Sequence, residues 1–70
     1  MKIVLAGAFG KLGSDILRAL VREGHTVVAA DLVLRDIPEI AGKYEAKKLD
    51  VTNAASLEGL CEGADALITT

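Results

Sequence analysis

Gly7, Gly10 and Gly13 stand in the run Gly7-Ala8-Phe9-Gly10-Lys11-Leu12-Gly13. Backbone without a Cβ can turn through positive φ or come unusually close to another group. The spacing G-x-x-G-x-x-G therefore suits main-chain capture of an anion. It does so best where a helix starts within the run and turns its positive end towards the charge. The three glycines have separate tasks on that reading. Gly7 permits a sharp turn, Gly10 lets a diphosphate approach the backbone, and Gly13 lets the first helical turn pack closely on the preceding strand. The rival reading is a tight glycine turn with no ligand.

Asp31 follows Gly13 by eighteen residues and closes an apolar run. A carboxylate at such a strand end can accept both hydroxyls of an adenosine ribose, and it would repel a 2′-phosphate, which favours NAD over NADP. The alternative is an ordinary solvated acid. Arg35 lies close enough in sequence to pair with a phosphate, or it is simply a surface arginine. Asp50-Val51 ends a third short run. Asp50 can accept from an adenine amino group with the Val51 backbone in reach, or it can begin the next helix, since acids suit helix N-termini.

Other chemistry finds little support. His25 is the only histidine and Cys61 the only cysteine. No nucleophile triad or cluster of ligands at metal spacing can be assembled from them. His25 reads as a turn residue, and Cys61 as a small filler on an apolar helix stripe. Phe9, inside the glycine run, can flank a diphosphate, cover the mouth of the site, or plug the space under the loop. Tyr44 and Lys48 match Tyr-x-x-x-Lys, but that chemistry needs the lysine one helical turn after the tyrosine. Here the pair falls in a segment expected to be extended, so the match reads as chance.

The elements that must position these residues are legible from periodicity. Lys2 to Ala6 is an apolar, partly β-branched run typical of a strand buried on both faces. From Lys11 to Glu23 the period becomes helical, with Leu12, Ile16, Ala19 and Leu20 in one stripe and Leu17 beside it. Gly24 suits the helix C-terminus. His25 to Ala30 is a second buried strand, ending at Asp31. Between Leu32 and Lys43, Asp36-Ile37-Pro38 can open one or two helical turns that Gly42 would end. Tyr44 to Leu49 leads into a third strand. Thr52 or Asn53 can cap a helix running to Glu62, with Leu57, Leu60 and Cys61 inward and Gly63 as its stop. Ala66 to Thr70 is a fourth strand, with Thr69 and Thr70 ending on the side where a ligand would lie. Strands separated by helices predict an α/β fold with a doubly wound parallel sheet, order 3-2-1-4. The first two helices would cover one face and the last helix the other.

Composition bounds the rest. The 70 residues make one small domain, and 51% of them are apolar against 26% charged, a globular balance. A net charge of −2 with signs interspersed gives no basic face for nucleic acid. No segment nears the ~20 apolar residues of a membrane span, and the N-terminal run lacks the marks of a signal peptide. A lone cysteine fits a reducing compartment, so a soluble cytoplasmic protein is expected.

With these residues in hand, the chain resembles the short-chain dehydrogenase/reductase superfamily, closest to its extended and atypical members, the NAD(P)-dependent epimerase/dehydratase and NAD(P)H-binding groups. The segments that carry the likeness are VLAGAFGKLG, GHTVVAAD and KLDVTNAASLEGLCEGADALI. The resemblance implies a Rossmann-like domain whose glycines hold the pyrophosphate of NAD, whose strand-two acid reads the ribose, and whose Asp-Val after strand three contacts adenine. Those roles fall on Gly7, Gly10, Gly13, Asp31, Asp50 and Val51, with Ala8, Phe9, Lys11, Leu12 and Leu32 as neighbours. Ala6 stands where many members carry threonine, a departure that bears on subfamily more than on cofactor. The family's catalytic Tyr-x-x-x-Lys belongs to a second half, so residues 1–70 are expected to be the front, cofactor-binding part of an oxidoreductase or sugar-nucleotide epimerase/dehydratase. The alternatives are a non-catalytic NAD(P)-sensing module and an engineered minimal one. An apolar fourth strand at the sheet edge would be open to self-association.

Overall fold

The structure is a computed structural model and describes residues 1–50 and 54–70. Four parallel strands form one sheet: β1 (Lys2–Ala6), β2 (Thr26–Asp31), β3 (Glu45–Lys48) and β4 (Ala66–Thr69), in the order β3-β2-β1-β4. Helix α1 (Lys11–Arg22) joins β1 to β2, a 3-10 turn (Pro38–Ile40) precedes β3, and α2 (Ala54–Cys61) precedes β4. The expected α/β architecture and strand order are both present. The caps expected at Thr52 or Asn53, and Val51 with them, lie outside the described residues.

The register explains how the two faces are built. Leu5 pairs with Ala29 on one side and Ile68 on the other, and Ala6 pairs with Ala30. Alternate residues of a strand point to opposite faces. On one face Leu5, Val27 and Ala29 pack with Leu17, Phe9, Ile37 and Ile40 from α1 and the 3-10 region. On the other, Ala6, Ala30 and Leu49 pack with Leu57 and Leu60 of α2. Leu17 is fully buried, and truncating such a side chain costs about 2–5 kcal/mol.

Several local expectations need correction. The stripe expected on α1 holds in part: Leu17 is buried and Ile16 and Leu20 pack against the core, but Leu12 is 65% exposed, Ala19 is exposed, and Gly13 is buried instead. At its first turn the helix meets the protein through Gly13, a residue that contributes nothing to an apolar count, so the stripe inferred from side chains is misplaced there. The third strand is shorter than Tyr44–Leu49, and all four of its residues are exposed. It is held by pairing with β2, from Val28↔Glu45 to Asp31↔Lys48, not by burial. The turn after Asp36 begins only at Pro38, as a single 3-10 turn with Ile37 as its N-cap. Cys61 is only half-buried.

The ends of the elements are well satisfied. At the C-terminus of α1, Gly24 has φ +85°, and its N–H reaches the Val21 carbonyl while His25 N–H reaches that of Leu20. This is the Schellman closure, which uses two of the helix's orphan carbonyls. Asp65 fixes the start of β4: its carboxylate accepts from Lys2 N–H at 2.8 Å, and its own N–H donates to the Lys2 carbonyl at 2.8 Å. The two sheet edges differ in chemistry. β3 is Glu-Ala-Lys-Lys, and β4 is Ala-Leu-Ile-Thr with Leu67 42% exposed.

Candidate dinucleotide site

The glycine run lies between β1 and α1, at the carboxyl end of the sheet. Gly7 has φ +79°, a conformation costly for any residue with a Cβ. Its N–H and that of Ala8 both donate to the Ala30 carbonyl, at 2.8 and 3.2 Å, which ties the turn to β2. Gly13 sits directly behind the turn. A Cβ there would run into the Gly7 carbonyl oxygen and lie 2.9 Å from its carbon and 3.1 Å from the Ala8 carbonyl carbon. Gly13 therefore packs on the turn itself, one step beyond the strand against which its packing was expected.

Gly10 is different. It is exposed, with φ −73° and ψ 175°, which any residue can adopt, and a Cβ would meet only the Gly7 carbonyl oxygen at 3.5 Å, an ordinary contact. The protein's own packing gives no reason for a glycine at this position. Gly10 is also the N-cap of α1, where no side chain makes a capping bond. The N–H groups of Lys11, Leu12 and Gly13 occupy the first turn, where a helix supplies no internal acceptor. The loop's other donors are committed: Gly10 N–H reaches the Gly7 carbonyl at 3.3 Å and Phe9 N–H reaches Asp31. The donors available to an anion are thus those of the helix start, reached over Gly10.

Asp31 stands beside them. Its Oδ2 accepts from Phe9 N–H at 3.0 Å and its Oδ1 from Leu32 N–H at 2.7 Å. The bond from Phe9 lets the carboxylate clamp the glycine turn to the end of β2, a task the sequence did not suggest. Charge-assisted bonds of this kind contribute about 1.5–3 kcal/mol each. An ionised carboxylate offers roughly four acceptor positions, so about two remain for hydroxyls.

A cleft of about 350 Å³ opens at this end of the sheet, lined by Ala6, Gly7, Asp31, Leu32, Leu49, Leu57, Thr69 and Thr70. It lies at the carboxyl ends of β1 and β4, between which the strand order reverses, the switch point at which open α/β sheets hold ligands. Leu32 is 57% exposed on its rim. Asp50 follows Leu49 at the same end and is exposed. Leu49 and Leu57 are cleft residues that spacing alone marked only as core.

Other sequence candidates resolve into structure. Phe9 is buried and tilts against Tyr44 at 57°, with ring centroids 5.9 Å apart, so its side chain plugs the space under the loop. Tyr44 directly precedes the extended β3 that ends at Lys48. Four extended residues separate their Cα atoms by about 13 Å, far from one helical turn. Among the described residues, no group of three His, Cys, Asp or Glu side chains is placed to hold a metal ion, and no helix is long and apolar enough to cross a membrane.

No protein-family model and no curated protein matches the chain. Solved structures do. Uronate dehydrogenase from Agrobacterium tumefaciens matches with a TM-score of 0.81 and 25% identity, over 97% of this chain and 25% of that one. A mutant of that enzyme complexed with NAD gives the same four values. L-threonine dehydrogenase from Clostridium difficile matches with a TM-score of 0.83 and 24% identity, over 97% of this chain and 23% of that one. For dTDP-glucose 4,6-dehydratase from Bacillus anthracis in complex with NAD the values are 0.79 and 19%, over 99% and 26%. The chain spans about a quarter of the length of these structures. It has the Rossmann fold, and its structural neighbours include dehydrogenases and a dehydratase, two of them solved in complex with NAD.

Proposed function

We propose that this chain binds NAD, with the pyrophosphate over Gly10 and the adenosine ribose at Asp31. The observation that carries this reading is the open ground at Gly10: of the three glycines, it is the one whose missing side chain serves no contact within the protein. The N–H groups of Lys11, Leu12 and Gly13 supply donors there, and the helix dipole adds to them. The spare acceptor positions of Asp31 take the ribose hydroxyls, and its charge disfavours a 2′-phosphate. Leu32, Leu49 and Leu57 offer the apolar wall an adenine requires, and the adenine contact expected of Asp50 and Val51 belongs to the same reading.

Bound nicotinamide dinucleotides exchange hydride with carbon centres, while the protein supplies position and electrostatics. The contribution of residues 1–70 is binding and orientation, since Tyr44 and Lys48 are not placed as an acid–base pair. We assign the whole activity to the oxidoreductase or epimerase/dehydratase class, on the strength of the dehydrogenases and dehydratase that share the fold.

Calorimetric titration with NADH, NADPH and ADP-ribose tests the proposal. Saturable binding of NADH and ADP-ribose is expected, with NADPH at least about tenfold weaker, as one like-charge conflict at a partly exposed site implies. No saturable binding of any of them would overturn the dinucleotide reading. Equal affinity for NADH and NADPH would overturn the role given to Asp31.

A further inference from the structure

The Gly7 carbonyl is a junction. It accepts from Gly10 N–H at 3.3 Å, and it is the group on which Gly13 packs. A third group reaches it from the far side. The Thr70 hydroxyl donates to it across 3.1 Å, with the Ala6 carbonyl 3.3 Å from the same oxygen. Thr70 is held in place for this by its own N–H, which donates to the Ala6 carbonyl at 3.1 Å. The fit is close: a Cβ on Gly7 would clash with the Thr70 hydroxyl, and would stand 3.1 Å from the Thr70 carbonyl oxygen.

We propose that Thr70 is a positioning residue for the phosphate-facing turn. Its hydroxyl holds the Gly7 carbonyl at the angle that lets Gly10 N–H turn back onto it and Gly13 seat behind it. Thr70 thereby sets where the first turn of α1 presents its N–H groups. The link also joins β4 to the glycine turn across the switch point, so the two walls of the cleft are fixed to one carbonyl. This inference rests on the dinucleotide reading for its consequence in binding, but the positioning itself is a property of the free protein.

The test compares Thr70→Val, which keeps shape and removes the donor, with Thr70→Ser, which keeps the donor. In the free protein, amide hydrogen exchange at Gly10 is expected to quicken about fivefold in Thr70→Val, the effect of one ordinary hydrogen bond, and to stay near wild type in Thr70→Ser. Unchanged exchange in Thr70→Val overturns the proposal whether or not a dinucleotide binds. For ligands, Thr70→Val should weaken ADP-ribose about fivefold while leaving adenosine, which has no phosphate, within twofold; Thr70→Ser should restore the loss. Equal losses for adenosine and ADP-ribose, or no rescue by serine, would make Thr70 a general support of the fold and overturn its role in positioning. Wild-type protein that binds no dinucleotide refutes the cofactor reading alone, because the exchange measurement still decides the role of Thr70.

Discussion

The two ends of the glycine run are built on opposite terms. At Gly7 and Gly13 the protein's own atoms fill the space a side chain would need: the Thr70 hydroxyl for the first, the Gly7 carbonyl for the second. At Gly10 the nearest such atom is an ordinary contact away and the backbone is in a common region. Identical residues three apart therefore answer to different constraints. Two are required by folding, and the middle one makes physical sense only if something outside the chain comes to rest on it.

Substitutions can break or sharpen this contrast. The largest effect is expected from Gly13→Ala. Its new methyl has backbone on the far side, which cannot swing away, so overpacking should cost about 3 kcal/mol or more. For a chain of this size that is a large part of the total stability, and thermal or urea unfolding should show a lost or strongly shifted transition. Gly7→Ala comes next, at about 2–3 kcal/mol, combining the cost of a left-handed alanine with displacement of the Thr70 hydrogen bond. Gly10→Ala should leave the urea midpoint within about 0.5 kcal/mol of wild type, or raise it slightly by restricting the unfolded chain. The same variant should lose at least about tenfold in ADP-ribose affinity. A destabilised Gly10→Ala that still binds normally would erase the distinction. The smallest effect belongs to Leu12→Ser, at an exposed position, within about 0.5 kcal/mol by the same unfolding measurement.

Much of the architecture was legible because burial wrote it into the composition of β1 and β2. Their apolar runs, the glycine turn between them and the change of period in α1 fix the strand order once parallel crossovers are assumed. What the sequence concealed lies where main chain, not side chain, makes the contact. Gly13 shares the inner face of α1 with Leu17, yet it is silent in any apolar count, so the apolar pattern extends the buried stripe to Leu12 and Ala19. β3 carries no burial signal, because it is held by its ladder to β2 alone. At the site, the residue types and spacing named Asp31 as a ribose acceptor, but its bond to Phe9, twenty-two residues away, depends on the pairing of β1 with β2 that no local pattern encodes. Thr70 is sixty-three residues from Gly7, and only the placement of β4 beside β1 brings its hydroxyl to the turn.

The two border strands of the described residues bear differently on contact between copies. A border of Glu-Ala-Lys-Lys repels a like neighbour and keeps its hydrogen-bonding groups for water, whereas a border of Ala-Leu-Ile-Thr has no such protection. A body with one adhesive side and one repellent side can add strands in a single direction. If residues 1–70 associate edge to edge, the contact is expected at the β4 border, back to back about a twofold axis.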